Sequence, residues 1–189
     1  MKSLKTFLVV ATILFSGLTV WGQKQQTVYN SFPDMPIDEN TKLVTYKEVV
    51  REKGSQDELY ERALKWAKKY FPNPLVTIQK EDKIGGTLVC NPNIKITTLG
   101  KDGKTAVLAG YVYYTFTIEV KDGRYRYIMT DFHKRESARF PIEKWLDNTK
   151  PEWSSIRYDH LHQIDQAVKK LIEELEEGMN PEKIIIDEW

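Results

Sequence analysis

The chain has 189 residues, 41% of them hydrophobic and 29% charged, which provides for one domain with a real core and short tails. Its 28 basic and 27 acidic residues give a net charge of +1, excluding the bulk positive field that non-specific nucleic-acid binding uses. A single cysteine, Cys90, excludes an intramolecular disulfide in any compartment, so stability must come from packing.

Residues 1–22 read as a signal peptide. Lys2 and Lys5 form a positive start, and an apolar run follows from Phe7 to Val20, with the cut expected near Gly22 and Gln23. The run is shorter than the roughly 20 residues a spanning helix needs, so no membrane span is expected after cleavage. An uncleaved N-terminal anchor is the competing reading. Without Lys2 and Lys5, 26 basic residues face 27 acidic ones, a net charge of −1. The expected location is the periplasm or the extracellular space.

Residues 23–36 are polar and punctuated by proline, a linker into a domain spanning residues 37–179. "TKLVTYKEVV" (residues 41–50) is rich in β-branched residues and predicts a strand. "GSQDEL" starts a helix, with Ser55 and Glu58 spaced as a capping box. Leu59, Ala63, Trp66, Ala67 and Tyr70 then recur at helical spacing, and "FPNP" ends the element. Strands are predicted over residues 75–80 and 87–98, the latter interrupted at Pro92, which cannot donate a ladder hydrogen bond. Two Asp-Gly pairs, in "KDGK" and "KDGR", predict two-residue turns into strands over residues 106–120 and 125–133. Residues 137–153 read as a long irregular connection with Phe140, Trp145 and Trp153. A final helix runs from Ser154 or Ser155 to Glu177, striped by Leu161, Ile164, Val168, Leu171, Ile172 and Leu175, with Gly178 as its stop. Trp153 and Tyr158 occupy the staple positions at its start. Residues 180–189 form a tail containing "KIIIDEW".

The order β-α-β-β-β-β-α gives an α+β fold: an antiparallel sheet with two helices on one face. "MPIDENTKLVTYKEVV", "SQDELYERALKW" and "YVYYTFTIEVKDGRYRY", with the late amphipathic helix, resemble a bacterial family of exported domains of unknown function. The resemblance covers roughly residues 35–177 and implies a TBP-like fold. It brings no catalytic residues, and a fold name does not confer DNA binding.

The segment "VKDGRYRYIMTDFHKR" carries the sharpest functional question. A two-residue turn at Asp122-Gly123 sets Lys121 opposite Arg124, Val120 opposite Tyr125, Glu119 opposite Arg126 and Ile118 opposite Tyr127. Phe116, Ile118, Val120, Tyr125, Tyr127 and Met129 then share a core face, while Arg124 and Arg126 point outward. Base-stacking platforms need aromatics and cations on one exposed surface, and here the pleat separates them, so no nucleic-acid partner is expected. Tyr111, Tyr113 and Phe132 share the outward parity, which makes Arg124, Arg126, Tyr113 and Phe132 the candidate ligand-binding residues. A merely solvated sheet face is the simpler account of the same pattern.

Other chemistry is sparse. No metalloprotease, nucleophile-elbow, paired-cysteine or phosphate-loop motif is present, and no enzyme activity, cofactor or metal is expected. His160 and His162 are two apart on a helix and point to different sides. His133 and Asp131 form the one acid–base couple on which an unrecognised hydrolase would rest. Glu173, Glu174, Glu176 and Glu177 read as a solvated acidic face, and Cys90 as a small buried hydrophobe. The expected function is a non-enzymatic exported binding or accessory domain whose partner is a protein, peptide or glycan of the envelope. The alternative is an envelope structural or assembly protein that pairs through a strand edge or the C-terminal tail.

Overall fold

The computed structural model describes residues 29–136 and 138–181. The expected signal peptide, the first part of the linker and the "KIIIDEW" segment lie outside the described residues. Strand β1 (Tyr46–Arg51) leads to helix α1 (Gln56–Tyr70), the short helix α2 (Pro74–Thr77) and strands β2 (Ile78–Asp82), β3 (Thr87–Cys90) and β4 (Asn93–Leu99). The long strands β5 (Ala106–Lys121) and β6 (Arg124–Arg135) follow, then β7 (Arg139–Pro141), a 3-10 helix (Ile142–Leu146) and helix α3 (Ile156–Met179). All pairings are antiparallel in one seven-stranded sheet of order β1-β6-β5-β3-β2, with β4 continuing β3 along β5 and β7 continuing β1 along β6.

Local sequence accounts for most element ends. The Ser55 hydroxyl accepts from the Glu58 amide at 3.3 Å, and the Ser55 amide donates to the Glu58 carboxylate at 2.7 Å, completing the expected capping box. Replacing Ser55 with alanine is expected to lower stability by about 1 kcal/mol, read as a shifted urea midpoint at unchanged slope. β1 begins later than the sequence suggests. Asp38 accepts from the amides of Asn40 and Thr41, and Lys42 takes a φ of 61°, so residues 38–43 form a turn instead. The strand expected over residues 75–80 is likewise displaced, because Pro74 sits in the first turn of α2 with its φ already set for a helix. Pro92 splits one expected strand into β3 and β4.

Asp122-Gly123 makes the expected two-residue turn, with Gly123 at a φ of 72°. The "KDGK" turn does not. Asp102 accepts from the amides of Lys104 and Thr105, holding a wider loop closed by the Gly100 amide on the Thr105 carbonyl.

The core lies between one sheet face and helices α1 and α3. Tyr114, Phe116, Ile118 and Val120 of β5 and Tyr125, Tyr127 and Met129 of β6 point into it, as the hairpin register requires. Leu59, Ala63, Trp66 and Ala67 of α1 meet Leu161, Ile164, Val168, Leu171 and Leu175 of α3 there. α3 does not stop at Gly178. A Cβ at that position would lie 2.2 Å from the Trp66 ring, so this glycine lets the two helices approach. Trp153 and Tyr158 pack edge-on at 4.8 Å across the start of α3, whose cap is Ser155. Trp145 and Ile142 of the 3-10 helix are buried, and the Trp153 indole donates to the Trp145 carbonyl at 2.7 Å. The expected irregular connection is thus a short strand plus a helical turn, and its tryptophans pack towards α3.

Candidate site on the open sheet face

The second sheet face carries no helix among the described residues, and the pleat presents Val49, Arg124, Arg126, Glu119 and Lys121 on it. These five residues, with an edge of Tyr125, line a hollow of about 210 Å³. Arg126 donates from Nε to the Glu119 carboxylate at 2.7 Å and also pairs with it through Nη2, realising the cross-strand pair the register calls for. Such an exposed pair contributes about 1 kcal/mol at most. Its larger effect is to fix the guanidinium at the rim. Arg124 and Lys121 are exposed and have no carboxylate partner among the described residues, so the hollow presents an excess of positive charge beside the exposed Val49.

Towards the far end of the face, Tyr113 stacks on His133 at 6.2 Å, and the Arg135 guanidinium sits 4.4 Å above the Tyr113 ring. Phe132 is not part of this surface. It is 1% exposed and lies in the core, stacked 4.9 Å from Tyr114. The cause is a bulge. Thr115 faces Thr130 and Tyr113 faces His133, so β6 spends one more residue than β5 between these pairs. Asp131 absorbs it with a left-handed φ of 64°, and every later side chain of β6 changes face. The same shift brings out Arg135, which unbroken alternation assigns to the core. Val49 was missed for a different reason: that β1 lies beside β6 is a long-range pairing with no local signal.

The remaining candidates separate. His133 Nδ1 lies 2.8 Å from the Asp131 backbone oxygen, while the Asp131 carboxylate pairs with Arg139, so no imidazole–carboxylate couple forms. Cys90 is buried, and burial pushes its thiol up to about 12, the state of an inert packing residue. His162 stacks on Tyr29 at 3.6 Å, and His160 turns inward beside Trp145. Among the described residues, no group of three or more potential ligands is placed to hold a metal ion. No helix among them is long and apolar enough to cross a membrane.

Residues 46–135 match the family described as a domain of unknown function (DUF4468) with TBP-like fold. This segment of the chain is a DUF4468 domain. A TBP-like protein from Parabacteroides distasonis superposes with a TM-score of 0.60 at 15% identity, over 77% of this chain and 96% of that one. A DUF4468 family protein from Bacteroides ovatus gives 0.60 at 15% identity, over 79% and 94% respectively. At that identity the likeness shows the fold alone, and it agrees with the α+β, TBP-like architecture described above. No curated protein matches the sequence. The matched span runs from β1 to the end of β6, and so contains every residue lining the hollow.

Proposed function

We propose that this chain is an exported, non-enzymatic binding or accessory domain that recognises an acidic group of an envelope protein, peptide or glycan on its open sheet face. One observation carries the reading: Arg124, Arg126 and Lys121 surround a hollow on a face that no helix among the described residues covers, with a single carboxylate, Glu119, in its lining. A carboxylate entering the hollow would meet the Arg124 fork directly, a geometry suited to two-point hydrogen bonding. Tyr113, with Arg135 above it, offers a second contact further along the same face. The sequence of residues 1–22 supports export, and amino-terminal sequencing of the protein recovered outside the cytoplasm would test it.

The binding reading is tested by amide chemical-shift mapping with an acidic peptide and with anionic glycan fragments. Shifts are expected around Val49, Glu119 and Arg124–Arg126, and the Arg124→Glu/Arg126→Glu variant should abolish them. Shifts confined to other surfaces, or unchanged by the double variant, would remove the site from this face.

A further inference from the structure

β1 is an edge strand, and all six of its residues pair with β6 without a bulge. The Thr45 amide donates outward to the Pro36 carbonyl at 2.8 Å, and the Glu52 amide donates inward to the Gly123 carbonyl at 3.1 Å. Alternation then turns the amides of Lys47, Val49 and Arg51 to the free edge, where none has a partner among the described residues. Helix cover is also incomplete there. Val50 and Ile172 of α3 are only half-buried although both lie on the core side. Beside them a hollow of about 480 Å³ opens between α3 and residues 36–40, walled by Tyr46, Tyr127, Ile172 and Ile37. So regular and bare an edge ordinarily needs a cover.

We infer that residues 183–189, "KIIIDEW", pair antiparallel with the free edge of β1 of their own chain and seat Trp189 in the hollow beside Tyr46. The exit point of α3 carries the choice of occupant. Arg62 Nη1 donates to the Lys53 carbonyl, two residues beyond β1, at 2.8 Å and to the Met179 carbonyl, at the end of α3, at 3.2 Å. The two elements therefore end side by side. Asn180 leaves the helix extended, ahead of Pro181, which cannot continue it. A chain returning from there along β1 runs antiparallel to it. Length suffices: the six residues of β1 span about 20 Å, and residues 182–189 reach about 26 Å when extended. Charge selects the register. With Ile186 facing Val49, Glu188 faces Lys47 and Lys183 faces Glu52, two opposite-charge pairs that no slip of one or two residues keeps. Ile184 and Ile186 then lie on the open face beside Arg51 and Val49, which is 56% exposed. On the helix side Ile185 covers Val50, and Trp189 reaches Tyr46. Residues 36–38 strap the edge ahead of Tyr46, so the pairing ends at the hollow.

One contact opposes the pairing and sharpens the test: Asp187 faces Glu48. Amide hydrogen exchange on the unaltered protein should show Lys47, Val49 and Arg51 exchanging about tenfold or more slower than free amides. Ile186→Pro removes the amide that faces Val49 and should return all three to the free rate. Tyr46, Glu48 and Val50, whose amides point to β6, should stay slow in that variant. Glu48→Gln should slow Lys47 and Val49 further. Val50 and Ile185 would form a pair without mutual hydrogen bonds, close enough for a disulfide. Val50→Cys with Ile185→Cys should therefore oxidise to a bridge within one chain, whereas Val50→Cys with Ile184→Cys should not. The native thiol, Cys90, is buried and stays out of the reaction. Free exchange at Lys47, Val49 and Arg51 in the unaltered protein would overturn the inference, as would protection indifferent to Ile186→Pro. A bridge formed only between two chains would also overturn it, assigning the segment to the β1 edge of a second copy.

Discussion

Truncating Phe132 to alanine is expected to lower the unfolding free energy by about 3–5 kcal/mol, the range for a large aromatic lost from a packed core. The same truncation at Tyr113 is expected to cost about 1 kcal/mol or less, since that ring lies on the open face and its loss leaves no cavity. Simple alternation along the two strands of the β5–β6 hairpin places both residues on one surface, so the contrast isolates the bulge at Asp131. Phe132 is fully buried against Tyr114 and, edge-on at 6.1 Å, Tyr46. Tyr113 touches His133 and Arg135 and is only half-buried. Urea unfolding at constant slope gives both numbers. Equal losses at the two positions would return Phe132 to the outer face and deny the bulge.

The bulge also marks the boundary of what local sequence determines. The hairpin from Phe116 to Met129 is legible residue by residue, because a two-residue Asp-Gly turn fixes the register and a period of two does the rest. The capping box at Ser55 and the apolar stripes of α1 and α3 are equally local patterns, and the structure contains them. Beyond Thr130 the pattern fails, because Asp131 is one of the polar types that tolerate a left-handed φ and nothing in its spacing announces that it uses one. The site divides in the same way. Arg124, Arg126 and their partner Glu119 follow from the hairpin, whereas Val49 depends on which strand lies beside β6. Gly178 reads as a helix stop from composition, but its reason for being glycine is Trp66, more than a hundred positions earlier in the chain. Contacts of that separation are set by the packing of α1 on α3.

A steeper loss of stability on mild acidification is expected from His160. It is 4% exposed, neither ring nitrogen has a hydrogen-bond partner among the described residues, and Trp145 of the 3-10 helix packs against it. Burial, reinforced by Arg157 on its own helix and Lys134 on β6 and only partly offset by Asp159, holds its pKa down at about 4, against an ordinary 6.5. Between those values the unfolded chain binds a proton that the folded chain refuses. Stability is therefore complete above pH 6.5 and falls as the pH drops from 6.5 towards 4. The loss should reach about 2 kcal/mol near pH 5 and about 3 kcal/mol at the bottom of the window. Carboxylates contribute in a lower range: Glu58, Asp82 and Glu136 are held below their usual values by hydrogen bonds from Ser55, Gly85 and Lys134 respectively, and their stabilisation is lost only on further acidification. His160→Leu removes the titrating group while keeping an apolar side chain against Trp145. Its unfolding free energy, measured in urea at intervals from pH 7 to pH 5, should stay nearly flat where that of the unaltered protein declines. Parallel declines in the two proteins would mean that His160 takes up its proton without opening the fold.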